Sequence, residues 1–151
     1  MQIRILMVCL GNICRSPLAE GILKHKSSHL NIKVDSAGTS NYHIGSLPDS
    51  RSIDIARQFG VDITDQRGRQ FSVKDFDEFD LIFAMDTNNY RNIIALARNE
   101  NDKKKVDLIL NLTHPNQNID VPDPYHGGKQ GFKDVYEMLD KACDVLLERL
   151  G

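Results

Sequence analysis

Two side chains near the start of the chain can do chemistry together. Cys9 and Arg15 stand on either side of the five residues Leu10, Gly11, Asn12, Ile13 and Cys14. A cysteine thiolate is a strong nucleophile. An arginine guanidinium is a planar fork that binds two oxygens of one phosphoryl group. Gly11 lets the backbone curl without a Cβ, and Asn12 tolerates left-handed dihedrals. The segment can therefore turn several N–H groups inward as an anion-binding nest. Ser16 is a good helix N-cap, and Pro17 suits the first helical position. A helix starting there adds orphan N–H groups and its dipole, both of which favour an anion. The same field favours the thiolate of Cys9. Ser16 is also placed to hydrogen-bond that sulfur and steady it as a leaving group. A metal site fits poorly, because Cys9 and Cys14 have no third or fourth ligand at useful spacing and His25 and His29 lie on a helix leading away. No metal or organic cofactor is implied, since the thiolate and Arg15 replace what a metal would do.

The elements around this segment decide whether it can work. Ile3, Ile5, Leu6, Met7 and Val8 form a short apolar run, which predicts a buried strand. After the loop, Leu18, Ala19, Ile22 and Leu23 give a helix one apolar face. The unit then repeats loosely. Residues 32–34, 80–85 and 106–110 are the further strand candidates, and residues 48–59 and 87–97 the further helices. Gly60 is placed to end the first of these. Residues 111–131 are polar and broken by Pro115, Pro122, Pro124 and Gly127. Phe132, Val135, Tyr136, Leu139, Cys143, Leu146, Leu147 and Leu150 recur at helical spacing and predict a final helix, with Cys143 as core packing. Residues 99–105 are charged and are expected as a solvated loop. Alternation of strands and helices predicts an α/β fold: one three-layer domain over residues 1–151, with a four-stranded parallel sheet and helices on both faces. Ligands of such sheets bind beyond the carboxyl ends of the strands. That is where the phosphate-binding loop after strand 1 would lie.

Composition narrows the setting. A length of 151 residues suits one core, and a net charge of −2 gives no general attraction to nucleic acid or to an anionic membrane. Three cysteines, widely spaced, do not make a secreted disulfide framework. No apolar run approaches the roughly 20 residues that span a bilayer. The first apolar run is too short for a signal peptide. A cytoplasmic monomer is the expectation.

Residues 9–17 resemble the signature loop of the low-molecular-weight protein tyrosine phosphatases. Further along, Asp35-Ser36-Ala37-Gly38-Thr39, Ala84-Met85-Asp86 and Asp123-Pro124-Tyr125 resemble that family's other motifs, in order and across nearly the whole chain. The resemblance implies hydrolysis of phosphotyrosine through a cysteinyl-phosphate intermediate. Cys9 would attack phosphorus. Arg15 and the N–H groups of Leu10, Gly11, Asn12, Ile13, Cys14 and Ser16 would hold the oxygens. Asp123 would protonate the leaving phenolate and then accept a proton from water, with an acidic pH optimum as the consequence. Pro124 biases Asp123 to an extended backbone. Tyr42 and Tyr125 would wall the cleft, with His126 on the rim. Cys14 would protect the nucleophile by forming a reversible disulfide with it. The implied partners are a phosphotyrosyl protein substrate and a tyrosine kinase that supplies it.

Other activities stay open on the same scaffold. Protein-arginine phosphatases share the loop but tend to have threonine at the position of Ile13, whose apolar side chain suits a phenyl ring better. Arsenate reductases relay a disulfide through further cysteines, and residues 86–98 hold none. A phosphate-binding module without catalysis, or a redox sensor using Cys9 and Cys14, are readings of a different class. Residues 64–69 also lack the histidine that many members of the family bond into the network behind the signature loop. This predicts a network built differently behind Asn12.

Overall fold

The computed structural model describes residues 2–125 and 127–151. Its sheet is built around β1 (Ile3–Cys9), which has apolar side chains of both parities. Ile5, Met7 and Cys9 face one core, and Leu6 and Val8 face the other. A strand buried on both faces must be apolar at every position, so a short unbroken run marks it. β2 (Ile32–Gly38), β3 (Leu81–Ala84) and β4 (Val106–Leu108) complete the sheet. All pairings are parallel, in the order β2-β1-β3-β4.

Helices cover both faces, as the alternation predicts. α1 (Arg15–Lys26), α2 (Ser50–Gln58) and α6 (Lys129–Leu150) cover the first, burying Leu18, Ile22, Ile55, Leu139 and Leu146. α3 (Asp75–Glu78) and α4 (Thr87–Ala95) cover the second with Phe76 and Ile93. Gly60 follows α2 with φ of +78°, as expected of a residue that ends a helix. Among the described residues no helix is long and apolar enough to cross a membrane.

Two expectations need correction. Residues 99–105 are not all loop, because they contain α5 (Glu100–Lys104). Its signal is polar rather than apolar. Asn99 Oδ1 accepts from the Asp102 amide at 2.9 Å, and the buried Asp102 carboxylate is gripped by Arg98. The fourth strand is shorter than residues 106–110, since a 3₁₀ turn, Ile109–Asn111, takes over at Ile109. That turn keeps Ile109 and Leu110 in the core without sheet pairing.

Candidate active site

Cys9 is the last residue of the central strand, so the sheet itself aims it at the carboxyl edge. The backbone then turns through Asn12, whose φ is +58°. Its amide donates to Cys9 Sγ at 3.3 Å. Ser16 Oγ lies 3.0 Å from the same sulfur and accepts from Asn12 Nδ2 at 2.8 Å. Its hydroxyl hydrogen has that sulfur and, at 3.5 Å, the Ala37 carbonyl oxygen within reach. Ser16 is therefore not the N-cap that its residue type suggests. The N-cap is Cys14, α1 begins at Arg15, and no side chain caps it. The serine is turned inward to the thiol, which leaves the first amides of α1 free of a capping group at the mouth of the loop.

The loop is held from behind. Asn12 Nδ2 also donates to Ser36 Oγ at 3.0 Å, and Asn12 Oδ1 accepts from the Arg69 amide at 3.0 Å. Ser36 Oγ donates in turn to Glu20, which accepts from Lys24. Burial raises the Glu20 carboxyl above its ordinary range, against the pull of Lys24 and Ser36. At the segment without the family histidine, Gln66 Nε2 donates to the Pro17 carbonyl at 3.0 Å, and Gln66 Oε1 is buried with no hydrogen-bond partner among the described residues. Gly38 completes the support, because a Cβ there would lie 2.7 Å from the Leu10 carbonyl oxygen.

Arg15 is 3% exposed. Its Nη1 donates to Asp86 Oδ2 at 2.7 Å and to the Val121 carbonyl at 3.0 Å. Burial alone would lower its pKa, but the charges of Cys9 and Asp86, with Asp123 further off, outweigh it and raise the pKa above the ordinary value. The guanidinium is thus fixed and permanently charged beside Cys9. Asp123 enters from the far side of the cleft. Its Oδ1 accepts from the Tyr125 amide at 3.0 Å, and its Oδ2 lies 3.8 Å from Arg15 Nη2. The three residues meet in a cleft of about 170 Å³ lined also by Leu10, Gly11, Ile13, Cys14, Tyr42 and Tyr125.

Cys14 is a free, buried thiol at the cleft, and burial, then the Asp49 carboxylate and the Cys9 sulfur, push it up to about 12. Cys143 is a fully buried core residue, as its place on the helix stripe implies. His126 lies outside the described residues. His43 was not singled out, yet it lines the cleft, and its ring packs against Gly11. Asp86 entered only as part of a motif, and its grip on Arg15 has no local sequence signal.

A parallel sheet that delivers a thiol, a buried arginine fork and a carboxylate to one cleft defines a cysteine-dependent phosphatase. The chain belongs to the low molecular weight phosphotyrosine protein phosphatase family, whose model matches residues 4–151. A Synechocystis protein named among the low molecular weight protein-tyrosine-phosphatases is 46% identical over 152 residues, covering 98% of this chain and 96% of that protein. A protein tyrosine phosphatase of Entamoeba histolytica, solved with Hepes in its active site, superposes with a TM-score of 0.90 at 39% identity, covering 98% of this chain and 96% of that one. A Drosophila arginine phosphatase also superposes with a TM-score of 0.90, at 32% identity and 98% coverage of both chains. The chain is a hydrolase of this family, and its substrate class is the phosphotyrosyl protein.

Proposed function

We propose that Cys9, Arg15 and Asp123 carry the reaction, with the remaining loop residues as the phosphate cradle. In the first step Cys9 Sγ attacks phosphorus. The S–P bond forms, the P–O bond to the phenol breaks, and Asp123 gives its proton to the departing oxygen. A phenolate has a conjugate pKa of about 10, so a positioned acid accelerates its departure greatly. In the second step water attacks phosphorus, its proton passes to Asp123, and the S–P bond breaks to regenerate the Cys9 thiolate and release phosphate. Arg15 and the loop amides hold the equatorial oxygens throughout. Ser16 and the Asn12 amide stabilise the departing sulfur. The observation that carries this reading is the convergence on one cleft of Cys9, bonded to Ser16 and Asn12, with Arg15 and the oriented Asp123.

Tyr42 and Tyr125 serve as flat walls for a phenyl ring, and Ile13 supplies an apolar contact at the cleft. Cys14 serves as the redox partner. Peroxide takes Cys9 to a sulfenic acid with loss of water, and the Cys14 sulfur then displaces the hydroxyl as a second water to close a disulfide. The chain acts as one cytoplasmic monomer over residues 1–151, downstream of a tyrosine kinase, without nucleic acid or membrane.

Hydrolysis of a phosphotyrosyl peptide and a phosphoarginyl peptide, with chelator present, tests the assignment on wild type and Cys9→Ser. Chelator-resistant turnover of phosphotyrosine, lost in Cys9→Ser, is expected. Preference for phosphoarginine would overturn the role given to Ile13, and turnover that survives Cys9→Ser would overturn the mechanism.

A further inference from the structure

Arg51 lies outside the catalytic cleft, on the groove beside it that Ile55, Arg57, Lys129 and Phe132 also line. Yet every part of its guanidinium is engaged. Nε and Nη2 each lie 3.0 Å from a carboxylate oxygen of Asp49. Nη1 reaches the Gly127 carbonyl at 3.4 Å. The plane stands 5.2 Å from the centre of the Tyr125 ring and 4.5 Å from that of Phe132. A delocalised planar cation can stack on rings while its edge donates hydrogen bonds, which an ammonium does less well.

Three parts of the site meet on this one side chain. Asp49 ties α2 to the catalytic loop, because its amide donates to the Ile13 carbonyl at 2.8 Å. Phe132 belongs to α6 and is buried. Tyr125 and Gly127 belong to the segment that carries Asp123. The Tyr125 amide is the group that orients the Asp123 carboxylate. Fixing the Tyr125 ring thus fixes the acid.

The structure assigns Arg51 as the positioning residue for the acid: it locks the segment bearing Asp123 to the catalytic loop through Asp49 and Tyr125. The assignment rests on Asp123 being the general acid. It makes Arg51 matter in proportion to how much protonation the leaving group needs.

The test measures kcat/KM, which reports the steps through the first phosphoryl transfer, for phenyl phosphate and for a nitrophenyl phosphate. General acid catalysis contributes about 10²–10⁴-fold, so a displaced acid in Arg51→Ala should cost phenyl phosphate about tenfold while the nitrophenyl ester changes by about twofold or less. Arg51→Lys keeps a charge opposite Asp49 and should fall between, and it serves where alanine does not fold. In an Asp123→Asn background, Arg51→Ala should cost phenyl phosphate nothing further. Equal losses for the two esters, or full additivity with Asp123→Asn, would overturn the assignment. A leaving-group contrast in Asp123→Asn with none in Arg51→Ala would remove Arg51 alone. No contrast in Asp123→Asn would remove the acid and its positioner together.

Discussion

Replacing Asn12 separates what its side chain does from what its backbone does. The amide makes three hydrogen bonds, to Ser16, Ser36 and the Arg69 N–H, and the residue is 3% exposed. At about 0.5–1.5 kcal/mol each, their loss costs about 2–4 kcal/mol. Asn12→Gly and Asn12→Ala share that loss. Alanine also suffers the left-handed dihedral, about 1–2 kcal/mol. Glycine's larger freedom in the unfolded chain offsets about 0.4–1 kcal/mol of the difference. Alanine should therefore be the less stable by roughly 0.5–1 kcal/mol. With a urea slope of about 2 kcal/mol/M, the loss they share should lower the midpoint by about 1–2 M, and Asn12→Ala should fall about 0.25–0.5 M below Asn12→Gly. The loop also loses its support, and a displacement of the order of 1 Å costs about 100-fold in kcat/KM. Urea unfolding and steady-state kinetics on the two variants check both numbers. A midpoint unchanged in Asn12→Gly would show that the buried network holds nothing. Equal or greater stability of Asn12→Ala would show that the left-handed turn is unstrained.

Two further perturbations bear on the loop. Cys14 and Cys143 both have pKa values pushed up to about 12, chiefly by burial. Their folded values exceed the unfolded value near 9, so their contribution to stability is present below pH 9 and lost as pH rises toward 12. At neutral pH both remain thiols, so iodoacetamide followed by peptide mass spectrometry should find Cys9 modified and the other two spared. Labelling of Cys14 or Cys143 at the rate of Cys9 would contradict this. Gly38→Ala should lower stability by about 1–3 kcal/mol and kcat/KM with it, because its Cβ would press on backbone atoms of Leu10 and Asn12 that cannot step aside. Thermal melts and kinetics on that variant settle it, and wild-type activity would mean that β2 and the loop are not in close contact.

How much of this was legible before the structure follows from distance along the chain. The Cys9 to Ser16 segment could be read because its chemistry is local: nucleophile, turn residues and helix start lie together in sequence. The central strand could be read because burial on both faces demands an unbroken apolar run. Asp123 carries no such signal, since an aspartate before proline is an ordinary turn residue, and only resemblance to the family singled it out. The Asp86 grip on Arg15 and the Arg69 amide on Asn12 arise when β3 and the segment after α2 dock beside the loop. Ser16 misled for a physical reason. Its type suits an N-cap, but once the strand and helix are packed its hydroxyl faces the Cys9 sulfur, and that partner wins. α5 was missed because a short helix held by Asn99 and Arg98 has no apolar face to detect.

The two halves of the site rest on different kinds of residue, and this bears on how specificity changes. The groups around the thiol are buried: Asn12, Arg15, Ser16, Ser36 and Glu20 are each less than 5% exposed, with Asn12, Ser16, Ser36 and Glu20 joined in one hydrogen-bond network and Arg15 bonded to Asp86. Any one substitution there leaves an unsatisfied partner, which is costly. The walls are different. Tyr42 is 76% exposed and Tyr125 is 43% exposed. Side chains so open to water contribute little to the core, so their replacement changes what fits the cleft at small cost to the fold. One scaffold can therefore keep its cysteine chemistry while the recognised phosphate ester or phosphoramidate changes. Tyrosine and arginine phosphatases sharing a nearly superposable fold are what that division of labour would produce. On the proposed reading, the choice in this chain falls to the cleft-lining side chains of Ile13 and the two tyrosines.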